Sequence, residues 1–331
     1  MANETIVVVG ETEYRKAEVV FSSTPGLRCI AAPAAEEEFA AMVRSHGGRH
    51  VVVGVQPYRD ALYAALPRGG VVARFGVGHD GIDKAKATAA GLFCTNTPGV
   101  LDESVAEHTL ALILAASRHF VPLASGLHER SEWTSRMGRE VSGKTLAIIG
   151  VGSIGKTAAR MAAFGLGMRV VGCARVTPFS NEVMERNGIA SVTSDFEAAV
   201  RDADYVSLHI PATEINRHFI NRDRLAMLPS HAWLINTARG AVVDENALYD
   251  ALSAGLIGGA ALDVFEREPY VPTNPAKDLR TLDNVILTPH MGSNTLEANR
   301  RMGERALYNI RMAEEGEYRS MDLLNPAVLT A

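Results

Sequence analysis

Short runs rich in Val and Ile, apolar at nearly every position, alternate along the chain with longer stretches at helical spacing. Ile6–Val9, His50–Val55 and Val71–Phe75 form a first series, with Ala- and Glu-rich helical segments between them. A second series begins near Leu146 and runs Leu146–Ile149, Arg169–Val171, Tyr205–Leu208, Trp233–Asn236, Ala260–Asp263 and Val285–Thr288. Strands apolar on both faces belong in a parallel sheet covered by helices. The alternation predicts an α/β fold with right-handed crossovers, and the second series has the intervals of a doubly wound sheet. Between the series the pattern predicts one long helix from Asp102 to about Arg130, with Asp102 as N-cap and Glu103 in the first turn. Its apolar face (Val105, Leu110, Leu112, Ile113, Leu114) is generous for one helix; it is either ordinary core or also meets another subunit. A final helix is predicted from Asn294 to about Glu315, with Leu296, Leu307 and Ile310 on one apolar face. Thr97-Pro-Gly99 and Thr288-Pro-His290 mark the joints.

A length of 331 residues suits roughly two domains. With 47% hydrophobic and 21% charged residues, the chain has the composition of a globular protein and not of a disordered one. The net charge of −5 is spread along the chain without a basic stripe, which argues against a nucleic-acid partner. Met1 to Gly10 lacks the basic start and cleavage site of a signal peptide. The apolar run Leu110–Ala116 is too short to span a bilayer, so no membrane partner is expected. Cys29, Cys94 and Cys173 are widely separated, lack metal-ligand spacing and sit in or beside apolar runs. They read as buried thiols, with no metal and a reducing cytoplasmic location expected.

Gly150-Val-Gly-Ser-Ile-Gly155 follows one predicted strand and opens a helix, Lys156 to Phe164. In that context the glycines serve a dinucleotide: Gly150 for the tight turn, Gly152 for backbone approach to a pyrophosphate, and Gly155 for close helix–strand packing. The next strand, Met168 to Arg175, ends in Ala174 and Arg175 where an NAD site expects an acid. A guanidinium there can hold a 2′-phosphate by paired charge-assisted bonds, so NADP(H) is the preferred cofactor. The alternative is NAD, with Arg175 solvated or stacked on the adenine.

Three polar residues follow strand ends in the second half: Arg239, Glu268 and His290. Ligands of open parallel sheets bind outside the carboxyl ends of the strands, so the three point to one crevice. Arginine can fork onto a carboxylate, histidine can protonate a carbonyl oxygen as hydride arrives, and glutamate can orient the imidazole and favour its protonated form.

With these residues in place the chain resembles the D-isomer-specific 2-hydroxyacid dehydrogenases. The marks are Phe75-Gly-Val-Gly78, Asn96-Thr-Pro-Gly99, Ser104-Val-Ala-Glu-His108, Gly150 to Gly155, Asn236-Thr-Ala-Arg-Gly240, Ala261-Leu-Asp-Val-Phe265 and Pro289-His-Met-Gly292. The resemblance implies a Rossmann cofactor domain, residues 100–290, inserted in a flavodoxin-like substrate-binding domain, residues 1–99 plus 291–331. It implies an NAD(P)-dependent oxidoreductase that moves hydride between nicotinamide C4 and C2 of a small 2-oxo or 2-hydroxy acid. Arg239 would bind the acid, His290 would be the acid/base, and Glu268 would pair with it. Glu266 competes for the last role, but the family's glutamate immediately precedes proline, as Glu268 does. Asp263 would hold the nicotinamide carboxamide, Ser153 and Ile154 would lie against the pyrophosphate, and Val77 and Gly78 would offer N–H groups to the substrate carboxylate. A homodimer through the long helical region is implied as well. The substrate side chain is expected near Tyr58, Phe75 and His79. The end at Ala331 leaves no room, on this resemblance, for a C-terminal regulatory domain. A second reading is a dinucleotide-sensing binding protein on the same fold, as in a corepressor group that keeps the triad.

Overall fold

The computed structural model describes residues 4–176 and 179–330; Met1–Asn3, Thr177, Pro178 and Ala331 lie outside the described residues. The chain divides into two units, Met1–Leu101 with Ser293–Ala331, and Asp102–Gly292.

In the first unit the described strands are β1 (Thr5–Gly10), β2 (Leu27–Ala32), β3 (His50–Val53), β4 (Val71–Arg74) and β5 (Phe93–Thr95). They pair in parallel in the order β2-β1-β3-β4-β5, the flavodoxin-like winding. Val51, Val53, Val72 and Leu92 pack with Phe39 and Leu62 from the covering helices. The chain returns to this unit through the helix Leu296–Glu314, capped by the Thr295 hydroxyl, which accepts from Ala298 N–H. The return is pinned inside the unit. Asn309 Nδ2 donates to Asn96 O (3.2 Å), and Arg305 forks onto Asp322 (2.6 and 2.8 Å).

The second unit holds β6 (Thr145–Ile149), β7 (Arg169–Cys173), β8 (Ile189–Thr193), β9 (Tyr205–Leu208), β10 (Trp233–Asn236), β11 (Gly259–Leu262) and β12 (Val285–Leu287). Their order is β12-β11-β10-β9-β6-β7-β8, all parallel. Successive residues feed cores on opposite faces: Ala147, Ile149 and Leu234 on one side, Leu146, Ile148 and Ile235 on the other. That two-sided burial is why these strands read as unbroken apolar runs. From β6 the chain winds one way to β7 and later the other way from β9, so the crevice between β6 and β9 is the switch point of the sheet.

Four expectations need correction. The helix beginning at Asp102 is two helices, Asp102–Ser117 and Phe120–Arg130, bent by 70°. Pro122 lacks an N–H and its ring would clash with the Arg118 carbonyl of a continuous helix. The break falls at His119, in left-handed backbone with φ +50°. On the expected apolar face Val105, Leu112 and Ile113 are buried, Leu110 is half-buried and Leu114 is exposed. Strands β2, β5 and β8 were not anticipated: β2 and β8 are edges of mixed burial, and β5 has three residues. Leu296 is not on the buried stripe of its helix, which centres on Ala298, Met302, Ala306 and Asn309; at the first turn Leu296 is 84% exposed. Among the described residues no single helix is long and apolar enough to cross a membrane.

Candidate active site

The glycine loop leaves β6 at Ile149, and the helix begins at Ser153, three residues before the expected Lys156. Gly150 has φ +102°, and a Cβ there would come within 2.5 Å of the His209 carbonyl oxygen. A Cβ on Gly155 would come within 2.2 Å of the Gly150 oxygen. Gly152 differs: its missing Cβ faces open space, with nothing within 4 Å. Two glycines are therefore demanded by the fold, while the third leaves room beside exposed Gly152 and Ser153 at a helix N-terminus, where N–H groups favour an anion. This cradle fits the pyrophosphate of a dinucleotide. The Ser153 hydroxyl donates to the buried Asp102 carboxylate, and Ile154 is half-buried beside it. Beyond β7, Ala174 is tied by its N–H to Thr193 O (2.9 Å), and Arg175 is exposed.

Arg239, Glu268 and His290 lie past the carboxyl ends of β10, β11 and β12, three neighbouring strands. At the first, Asn236 brackets the turn: its Oδ1 accepts from Ala238 N–H (3.0 Å) and its Nδ2 donates to Arg239 O (3.0 Å). Arg239 Nη1 donates to Ala238 O (2.7 Å). At the second, Glu268 Oε1 accepts from Phe265 N–H (2.9 Å), which aims Oε2 at His290 Nδ1, 2.7 Å away. Burial opposes ionisation of Glu268, but the His290 bond and charge, the Phe265 N–H and the Arg239 charge outweigh it and hold the carboxyl below its ordinary range.

At the third strand end, His290 takes left-handed backbone with φ +53°, uncommon for a residue other than glycine. Asp263 holds it there. The Asp263 carbonyl accepts from His290 N–H (2.9 Å). Its Oδ1 accepts from the Thr288 hydroxyl (2.6 Å) and Met291 N–H (2.8 Å), and Oδ2 accepts from Gly292 N–H (2.8 Å). Burial raises the Asp263 carboxyl, yet bonds from His108, Thr288 and the two N–H groups prevail and lower it. A carboxylate has about four acceptor positions, so Oδ2 keeps capacity for a further donor. Sequence reasoning gave no role to His108, whose Nε2 lies 3.3 Å from Asp263 and 3.1 Å from the Thr288 hydroxyl. Its place in Ser104-Val-Ala-Glu-His108 was the available signal.

Glu266 lies elsewhere: its Oε2 is 2.9 Å from His218 Nε2. In the first unit, Asn96 Nδ2 donates to Val77 O (2.8 Å) and Arg74 Nε to Gly78 O (2.7 Å). In a trans peptide N–H opposes C=O, so these bonds turn the Gly78 and His79 N–H groups away from Asn96 and Arg74. Tyr58 and Phe75 do not line an open subsite as expected. They are 3% and 4% exposed and pack in the unit's interior beside Phe39 and Phe21, because an aromatic ring gains more from burial than from a wet loop. His79 is half-buried, with Lys84 Nζ 3.2 Å from its Nδ1.

Comparison with known proteins matches residues 110–292 to the family described as D-isomer specific 2-hydroxyacid dehydrogenase, NAD binding domain. A glyoxylate reductase of Thermococcus litoralis is 41% identical over 278 residues, covering 82% of this chain and 81% of that protein. A hydroxypyruvate reductase of Thermotoga maritima is 39% identical over 70% of this chain and 74% of its own length. The crystal structure of an NADPH-dependent glyoxylate/hydroxypyruvate reductase from Sinorhizobium meliloti, in complex with NADP and malonate, superposes with a TM-score of 0.79 at 28% identity, covering 94% and 93% of the two chains. These relatives are enzymes, and nothing in the comparisons supports the binding-protein reading. The chain belongs to the D-isomer-specific 2-hydroxyacid dehydrogenase family.

Proposed function

We propose that this protein is an NAD(P)-dependent oxidoreductase of small 2-oxo and 2-hydroxy acids, with Arg239, Glu268 and His290 as its reaction groups. The observation that carries this reading is the 2.7 Å contact of His290 Nδ1 with Glu268, on strand ends adjoining that of Arg239. A bound reduced nicotinamide supplies the hydride to C2. Gly150, Gly152, Ser153, Ile154 and Gly155 would hold the nucleotide's pyrophosphate, and Asp263 Oδ2 would take its carboxamide. Nδ1 of His290 faces Glu268, so Nε2 is the atom left to exchange a proton with the substrate oxygen. In the reducing direction His290 gives this proton to the oxygen as hydride arrives at C2. Arg239 would fork onto the substrate carboxylate.

Exposed Arg175 beside the small Ala174 supports a preference for NADP(H) over NAD(H). Exposed Phe120, Val121, Leu127, Trp133 and Met137 support a homodimer through this part of the chain. Buried Cys94 and Cys173 and half-buried Cys29, all free thiols, accord with a reducing cytoplasm. The test is steady-state reduction of glyoxylate, hydroxypyruvate and pyruvate with each reduced cofactor. Turnover of at least one acid, faster with NADPH, is expected. No turnover of any 2-oxo acid overturns the reading.

A further inference from the structure

Beside the reaction groups, the second unit carries an acidic cluster that the proposed chemistry does not use. Glu245 opens the helix Glu245–Ser253, whose N-cap is Asp244, and Glu266 lies in the loop after β11. The two clasp each other reciprocally. Glu266 N–H donates to Glu245 Oε1 (2.6 Å), and Glu245 N–H donates to Glu266 Oε1 (3.2 Å). His218, with φ +47°, completes the set: its Nε2 meets Glu266 Oε2 and its N–H donates to Ala241 O (2.8 Å).

These contacts flank a place where two backbones touch. A Cβ on Gly240 would lie 1.8 Å from the Phe265 carbonyl carbon and 2.4 Å from Glu266 N. Gly240 follows Arg239, and Phe265 N–H is held by Glu268. The Arg239 turn and the Glu268 loop thus meet backbone to backbone at Gly240, with the Glu245–Glu266 clasp beside it. Glu245 is 5% exposed, and its Oε2 is buried without a hydrogen-bond partner among the described residues.

We propose that Glu245 is a positioning residue for the reaction: its clasp with Glu266 holds the Arg239 turn against the Glu268 loop, and its charge acts on the Glu268–His290 pair. This rests on the roles given above to Arg239, Glu268 and His290. The groups facing Glu245 are Glu266, Arg267, Glu268 and Tyr270 from the loop, with Asp244 next to it in the chain and His218 across Glu266. Burial first, then the charges of Glu266 and Glu268, push its carboxyl up to about 7, against the Glu266 N–H bond and Arg267. Its charge therefore appears near neutral pH, and above that point it helps keep a proton on the Glu268–His290 pair.

Glu245→Ala and Glu245→Gln separate the two effects. In each, kcat/KM for an oxo acid that the wild type reduces is measured across pH, with nucleotide affinity as the control for folding. Glu245→Ala leaves Glu266 N–H without its acceptor and should lower kcat/KM roughly 10- to 100-fold, because small misplacements of reacting groups are costly. Nucleotide affinity should change little. Glu245→Gln presents a carbonyl to the same N–H and should recover most of that loss. It carries no charge, so its alkaline limb should lie lower than the wild type's by on the order of half a pH unit. Wild-type kcat/KM in the Ala variant, no rescue by Gln, or a Gln limb superposed on the wild type's overturns the proposal. Should the Ala variant fail to fold, the Gln limb decides alone. Inactivity of the wild type with every oxo acid instead overturns the proposed function.

Discussion

Replacing Glu268 by Gln removes the negative charge facing His290 and keeps an oxygen for the Phe265 N–H. A hydrogen bond to a charged group contributes about 1.5–3 kcal/mol. The two side chains are 31% and 33% exposed, so solvent screening places this pair at the low end, about 1.5 kcal/mol. That equals about one pH unit, or about tenfold in rate. The sign follows from the direction of reaction. Reduction of an oxo acid needs the pair protonated, and losing the carboxylate makes that proton easier to lose. The alkaline limb of kcat/KM should therefore move about one unit towards lower pH in Glu268→Gln. The loss should be small on the acid side of the limb and near tenfold above it. Glu268→Asp, which keeps the charge, should move the limb less. Stability carries a linked effect. Glu268 is depressed in the fold, so its contribution is present above the ordinary carboxylate range and lost as pH falls through its folded value; the Gln variant should lose that acid dependence. The assay is the loss of reduced-nicotinamide absorbance across pH. A Gln limb superposed on the wild type's would refute the reasoning.

Two further outcomes follow from the same geometry. Asp263→Ala removes the acceptor of the Thr288 hydroxyl and of the Met291 and Gly292 N–H groups, and should cost about 3–5 kcal/mol in urea unfolding along with activity; a loss below about 1 kcal/mol contradicts that bonding pattern. Ala174→Asp with Arg175→Ile should reverse a wild-type NADPH preference of at least about tenfold, because the acid accepts from a ribose diol and repels a 2′-phosphate. Equal kcat/KM with both cofactors in the wild type, or no shift in the double variant, removes Arg175 from cofactor selection.

The central strands were legible because both faces of β3, β6, β9 and β10 are covered, which leaves an unbroken apolar run in the sequence. Edges were not: in β8, Ile189 is buried while Ala190 and Ser191 face solvent, a pattern shared with many loops. The break before Phe120 had a signal in Pro122 that the strong apolar pattern around it masked. For the candidate site, a strand end followed by a polar residue singled out Arg239, Glu268 and His290, and the structure sets them past three neighbouring strands, since an open parallel sheet places such positions side by side. The supports were mostly hidden. His218 reaches Glu266 across 48 residues, and His108 reaches Asp263 from the helix Asp102–Ser117; such long-range contacts leave no spacing to read. Tyr58 and Phe75 misled because proximity to a loop in sequence does not say which way a ring points.

The most direct measurement is turnover of the His290→Ala variant on the acid that the wild type reduces best, with nucleotide affinity measured in the same preparation. The account predicts a fall of roughly 10²- to 10⁴-fold in kcat with nucleotide binding kept. Turnover near the wild-type rate would contradict it and remove His290 as the proton donor.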